Sequence, residues 1–323
     1  MFARAALSIV LSMGIAFSAS ADPIKIKYGY ANPANSHFGV AGDTFAKEVA
    51  RLSNGRFEVE QFPASALGGE REMLEAIQLG TLEIMLSGNG PLANFVPEAG
   101  IIDIPFLFRD TPHMRAVLQG PIGQELLDKM TERGLVGLAW GENGFRHITN
   151  NKHPVKTPED LRGLKIRTLE NNTHLLAFRT LGASPTPMSF PELYGALEQG
   201  AVDGQENPIS VMVTSKLYQV QKYMSLTGHF YTATVQIASP SFWNSLTPAD
   251  QALIQQAVIA ARDAQRDEIE RIEQQGIAQM QKEGLQVVSD IDKEAFEQTL
   301  QPAYETYAKQ FGQGAIDRIR AVK

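Results

Sequence analysis

The sequence predicts a two-lobed α/β protein, with mixed, mostly parallel sheets, helices on both faces and one long helix spanning both lobes. Three observations carry this. A strand–helix–strand–helix–strand pattern fills the first part of the chain, the same pattern restarts after Thr157-Pro158-Glu159-Asp160, and an unbroken helical run follows Thr247. The length of 323 residues fits about two domains.

Ile24-Lys25-Ile26-Lys27-Tyr28 alternates apolar and polar residues, as a half-buried strand does. The helix after it sets Phe38, Ala41, Phe45, Val49 and Leu52 on one face and stops at Asn54-Gly55. Residues 57–62 alternate again. Residues 70–79 read as a short helix closed by Gly80, and 82–86 as a buried strand. In the second half, Gly163-Leu164-Lys165-Ile166-Arg167 forms a strand that ends on Arg167. A helix over 172–181 follows, then a short strand over 184–187. Ser189-Phe190-Pro191-Glu192 is a capping box whose helix stops at Gly200, and Ala201-Val202-Asp203 enters the next strand.

Residues 76–83, AIQLGTLE, echo residues 196–203, ALEQGAVD. Generic helix–Gly–strand grammar explains such a match, and so do two similarly built lobes. Thr247-Pro248 supplies an N-cap and a proline at the first helical position. The run that follows reaches about Glu283 if Gly276 is tolerated, a span of roughly 45–50 Å.

Residues 1–21, MFARAALSIVLSMGIAFSASA, have a basic start, a short apolar stretch and an Ala-Ser-Ala cleavage pattern. This predicts a secretory signal peptide, with the mature chain starting at Asp22. There is no cysteine, hence no disulfide and no lipid-anchoring thiol. Removing residues 1–21 takes away Arg4 and no acid, so 29 basic residues become 28 against 36 acidic ones, a net −8. An acidic chain without a basic run is a poor partner for nucleic acid. An anion would have to be bound by a local site working against the global field.

The sequence has no phosphate-cradling glycine motif, no G-x-S-x-G and no metal-ligand spacing among its six histidines. No cofactor or metal is expected. What remains is polar residues at strand ends and breakers: Arg146 beside Gly144-Phe145, Arg167, Asn207 before Pro208, and His229 with Tyr231 after another strand. Ligands of α/β sheets sit at the carboxyl ends of strands. Each residue alone has an ordinary structural reading, as a turn amide, a surface arginine or a satisfied histidine. Together, in an exported two-lobed chain, they point to a solute receptor. An exported enzyme acting on a small acid and a ligand-sensing subunit are the alternatives.

Four runs carry a family resemblance: Phe62-Pro63-Ala64-Ser65-Ala66-Leu67-Gly68-Gly69-Glu70, Gly163 to Arg167, Gly182-Ala183-Ser184-Pro185-Thr186-Pro187-Met188, and Ala201 to Pro208. With them the mature chain resembles the DctP-type substrate-binding proteins of TRAP (tripartite ATP-independent periplasmic) transporters. The resemblance implies a periplasmic-binding-protein-like fold of type II character. Lobe I would take residues 22–143 plus about 233–272, and lobe II 144–232 plus about 273–323. It implies a periplasmic monomer that captures a small organic acid and delivers it to the small and large membrane subunits. The acid would be a sugar acid, a C4-type acid or an aromatic carboxylate. Arg167 would pair with the carboxylate, while Arg146, Asn207, Phe190 and His229 would line the cleft. Phe190 could equally be a hydrophobic staple at its capping box. Glu70 falls where sialic-acid-binding members meet substrate hydroxyls, but Ala31, Gly88 and Pro91 stand where those members carry polar cleft residues. Sialic acid is therefore not the expected ligand. Asn32, His37 and Asn89 are candidates to rebuild that wall. Of Asn171 and Asn172, one should cap the next helix and the other face the ligand; Asn171 is counted with the site.

Overall fold

The computed structural model describes residues 22–323; the expected signal peptide, 1–21, lies outside the described residues. Among the described residues nine strands are present: β1 (Ile24–Tyr30), β2 (Phe57–Phe62), β3 (Ile84–Gly88), β4 (Val136–Asn150), β5 (Lys165–Thr168), β6 (Ser184–Pro187), β7 (Gly204–Pro208), β8 (Tyr223–Ala238) and β9 (Gln286–Val288). They join in one sheet of order β2-β1-β3-β8-β4-β7-β5-β6, with β9 alongside β8. β1 pairs in parallel with β2 and β3, β5 in parallel with β6 and β7, and β8 in parallel with β9. The antiparallel contacts are β3–β8, β4–β8 and β4–β7.

The two long central strands explain how the repeated pattern becomes one molecule. The last part of β8 holds β3, while the last part of β4 holds β7. The β4–β8 register shifts between those parts at Glu142/Gly144, and again at Arg146/Ile148 where the pairing with β7 begins. Such bulges twist a ladder and redirect side chains.

The internal echo has a shared physical basis. Gly80 and Gly200 both take left-handed φ values, 75° and 69°, to leave their helices. Glu83 Oε2 then accepts the Lys27 amide at 3.0 Å, and Asp203 Oδ2 accepts the Lys165 amide at 2.9 Å. Each acid thus satisfies an amide of the neighbouring strand, in the middle of β1 and at the start of β5. This is also why the ladders begin later than expected, at Ile84 and Gly204 rather than Leu82 and Ala201.

The long helix runs from Pro248 to Lys282, with the Thr247 side chain accepting from the Asp250 amide. Ile254, Ala257, Val258 and Ala261 pack on Phe38, Phe45 and β1, and Met280 joins a separate core with Leu193, Leu197 and Met212. Gly276 is buried there: a Cβ would lie 2.7 Å from Ile209 Cγ2 and 2.9 Å from Val213 Cγ2. The closing helix, Gln313–Ala321, touches the first half of the chain. Its Ile319 carbonyl meets His113 Nε2 at 2.9 Å, and Arg109 donates to the carbonyls of Arg320 and Val322.

Candidate functional site

Arg167 lies on β5 and is 1% exposed. Its Nε and Nη2 donate to the Met188 carbonyl at 3.0 and 2.6 Å. That one oxygen occupies the side edge of the guanidinium. Nη1, on the end edge, has no hydrogen-bond partner among the described residues. Burial, followed by the charge of Arg146, lowers the pKa of Arg167 to about 10, so it stays cationic at neutral pH. A buried cation with an unused donor edge is costly unless an anion meets it.

Arg146, on β4, is equally buried, but its donors are occupied. Its Nε and Nη2 hold the Glu206 carboxylate, with Nη2 to Oε1 at 2.8 Å, and Nη1 reaches Thr232 Oγ1 at 3.3 Å. Glu206 comes from β7, directly across the β4 ladder. Burial alone would raise its carboxyl; Arg146, His174 and His229 outweigh burial and hold it well below the ordinary carboxylate range. His174 stacks on Phe230 with ring centroids 3.9 Å apart. Its nitrogens lie 3.8 Å from Glu206 and 3.9 Å from Asp103, charge-pair distances rather than hydrogen bonds. Burial works against its charge, yet the two carboxylates prevail and raise its pKa.

Glu70 opens the helix Glu70–Leu79 and faces the same region. Its Oε1 accepts the Gly88 amide at 2.6 Å and the Ser87 hydroxyl at 3.3 Å. Burial raises its carboxyl pKa in spite of these bonds and both arginines.

Two narrow crevices meet around Glu70, Pro91, Leu169 and Phe190. One, of about 20 Å³, reaches Asn32, Asn143, Arg146, Asn207 and Thr232; the other reaches Arg167 and Met188. Six expected residues therefore converge: Arg167, Arg146, Asn207, Glu70, Phe190 and Asn32. Asn207 is oriented by donating from Nδ2 to Gln205 Oε1. Phe190 lines both crevices and also sits inside its capping box, where the Ser189 amide donates to Glu192. Of the departures from the sialic-acid pattern, Gly88 and Pro91 face this space, whereas Ala31 lines a neighbouring groove.

The other five expected residues do not line the crevices, and each has structural work. His37 Nε2 meets Asn143 Oδ1 at 2.8 Å. Asn89 donates to the Ala99 carbonyl and to Asp103. Asn171 caps the helix Asn172–Thr180, accepting from the amides of Thr173 and His174, and donates to Asp103 and the Gly90 carbonyl. Asn172, the other candidate, is exposed. His229 sits between Thr227, 2.7 Å away, and Glu206. The Tyr231 hydroxyl donates to Glu142 at 3.2 Å. Alternation along β8 turns Thr232 toward the crevice when Tyr231 faces away.

Asn143, Thr232, Phe38, Val211, Leu169 and Glu206 complete the site without having been singled out from sequence. Leu169 had a signal, since alternation places it on the Arg167 face. Glu206 had none, because its pairing with Arg146 is made by the β4–β7 register. A roomier pocket of about 390 Å³ lies elsewhere, between Ile101, Leu126, Phe311 and Ile319. Its walls are mainly apolar, with Glu98, Glu125, Lys129 and Arg318 also among the lining.

Residues 28–310 match the model of the DctP family, described as bacterial extracellular solute-binding protein, family 7. The chain belongs to that family. A solute-binding protein of Verminephrobacter eiseniae is 47% identical over 90% of this chain and 86% of its own length. A TRAP periplasmic solute-binding protein from Polaromonas, solved bound to D-erythronate, superposes with a TM-score of 0.92 at 51% identity, covering 93% of this chain and 99% of that one. A Bordetella TRAP solute-binding protein, with density interpreted as pantoate, gives 0.91 at 48% identity, covering 93% and 99%. This DctP-family protein is thus a solute-binding receptor of a TRAP transporter and not an enzyme.

Proposed function

We propose that the receptor captures a small hydroxylated organic acid in the periplasm, with Arg167 as the carboxylate anchor. The observation that carries this is the buried, unpartnered Nη1 edge of Arg167. Two parallel N–H groups on that edge match two carboxylate oxygens, which fixes orientation as well as charge. Arg146 contributes through its field and by shaping the wall, because Glu206 holds its own donors. Asn207 and Thr232 offer neutral polar contacts, and Phe190 and Leu169 cover the carbon skeleton. The ligands of the Polaromonas and Bordetella proteins, D-erythronate and pantoate, are both hydroxylated acids, in keeping with this reading.

The crevice walls come from both expected lobes, with Glu70 and Pro91 on one side and Arg167 and Phe190 on the other. A ligand touching both stabilises their approach by its differential affinity for the closed arrangement. The receptor then hands the acid, as a monomer, to the two membrane subunits. Titration calorimetry with D-erythronate tests the anchor: Arg167→Ala should weaken binding by about 2–5 kcal/mol. An unchanged affinity would remove Arg167 from that role.

A further inference from the structure

We propose that the site selects hydroxylated monocarboxylates and rejects dicarboxylates, and that Glu70 sets this preference. The inference rests on the reading of Arg167 as carboxylate anchor and adds what the rest of the site does with charge.

Only one buried cationic edge in the crevices is open among the described residues, that of Arg167. Arg146 is neutralised by a two-point contact with Glu206. Arg71, at the outer end, is exposed and paired with Glu75 at 3.2 Å. The other charges on the walls are Glu70, Glu72 and Glu170, all acidic. A second ligand carboxylate would find no open buried guanidinium, only the solvent-exposed Arg71, and would face Glu70.

Glu70 is also equipped for a different group. The Gly88 amide and the Ser87 hydroxyl both bond Oε1, which fixes the carboxylate in place. Oε2 accepts no hydrogen bond among the described residues, and the residue lines both crevices. An ionised carboxylate is an acceptor only. A ligand hydroxyl supplies the missing donor, whereas a ligand carboxylate supplies a second negative charge. Discrimination by a site built around such a polar partner is steep, and like charges brought together at an interface are strongly disfavoured.

The test uses acid pairs that differ only in whether the terminal carbon is a hydroxymethyl or a carboxylate. D-Erythronate pairs with meso-tartrate, and D-galactonate with galactarate; pantoate is added as a further monocarboxylate. Calorimetry on the full mature chain at pH 7.5 should show at least one monocarboxylate binding about 100-fold more tightly than any diacid. Glu70→Gln, which keeps the shape and removes the charge, should narrow that gap to about tenfold, mainly by gain of diacid binding. A diacid binding as tightly as the best monocarboxylate in the native protein overturns the proposal, and so does failure of all three monocarboxylates to bind. The native comparison stands even if the variant does not fold. Arg167→Ala separates the two readings: if a diacid is the tightest ligand and is lost in that variant, the anchor survives and only the selectivity inference falls.

Discussion

Arg167 and Arg146 are alike in burial and differ in what the backbone puts beside them. Met188 offers Arg167 one carbonyl, which cannot cancel a charge, whereas β7 offers Arg146 a full carboxylate. The buried histidines also carry a testable consequence. Burial lowers His37 to a pKa of about 4 and His147 to about 3. Both folded values lie below the unfolded value of about 6.5. As the pH falls, the unfolded chain therefore binds protons first. Stability contributed by keeping these rings neutral is whole above about pH 6.5 and is lost progressively toward pH 4. His174 has a raised pKa and acts oppositely, its contribution being present at low pH and lost as pH rises through its folded value. At pH 5 the His37 effect is about 2 kcal/mol. Denaturant unfolding at pH 7.5 and pH 5 should show His37→Gln losing less stability on acidification than the native protein. Equal losses would mean that His37 is not the neutral buried group described.

At the scale of elements, the helix Asn172–Thr180 depends on Asn171, which caps it and also ties it to Asp103 and Gly90. Removing a side-chain cap costs about 0.5–2 kcal/mol, and stranding the buried Asp103 adds to it. Asn171→Ala should therefore lower unfolding stability by about 2 kcal/mol or more, while Asn172→Ala, at an exposed position, should stay within about 0.5 kcal/mol. Equal effects on the urea midpoint would contradict this assignment. Gly276 presents a conflict of scale. Alanine is better than glycine in a helix by about 1 kcal/mol, but here the added carbon would press on stiff β-branched methyls of Ile209 and Val213. Overpacking of this kind costs about 1–3 kcal/mol, so Gly276→Ala should lower the thermal midpoint. A raised midpoint would show that the Ile209–Thr214 helix can yield.

At the scale of the molecule, β4, β8 and the long helix are the elements that run through both halves, so relative motion must be taken up along them. The β4 and β8 bulges at Glu142/Gly144 and Arg146/Ile148 lie beside the site, where a change in twist moves the walls most directly. The opposing rims already touch, with Asn94 donating to the Glu170 carbonyl and Asn171 to the Gly90 carbonyl. A ligand that completes the Arg167 edge adds to these contacts and favours the compact arrangement. Small-angle scattering should give a smaller radius of gyration with saturating ligand than without, and identical radii would exclude closure by approach of the lobes.

Much of the fold was legible because it rests on local rules. Alternation marked β1, β2 and β5, glycines at positive φ closed the helices before β3 and β7, and Thr247-Pro248 started the long helix. The candidate anchor was legible in part: a strand-end arginine within a family-like run pointed to Arg167 before any coordinate. By itself the sequence determined the α/β class and the DctP-type receptor family. Only the tertiary structure decided which polar residues reach the crevice. His37, Asn89, Asn171, His229 and Tyr231 are consumed by Asn143, Asp103, Glu206 and Glu142, and Arg146 is occupied by Glu206. The reason is physical. Whether a buried donor is free depends on the acceptors that distant strands deliver to it, and those pairings are set by sheet register between segments tens of residues apart.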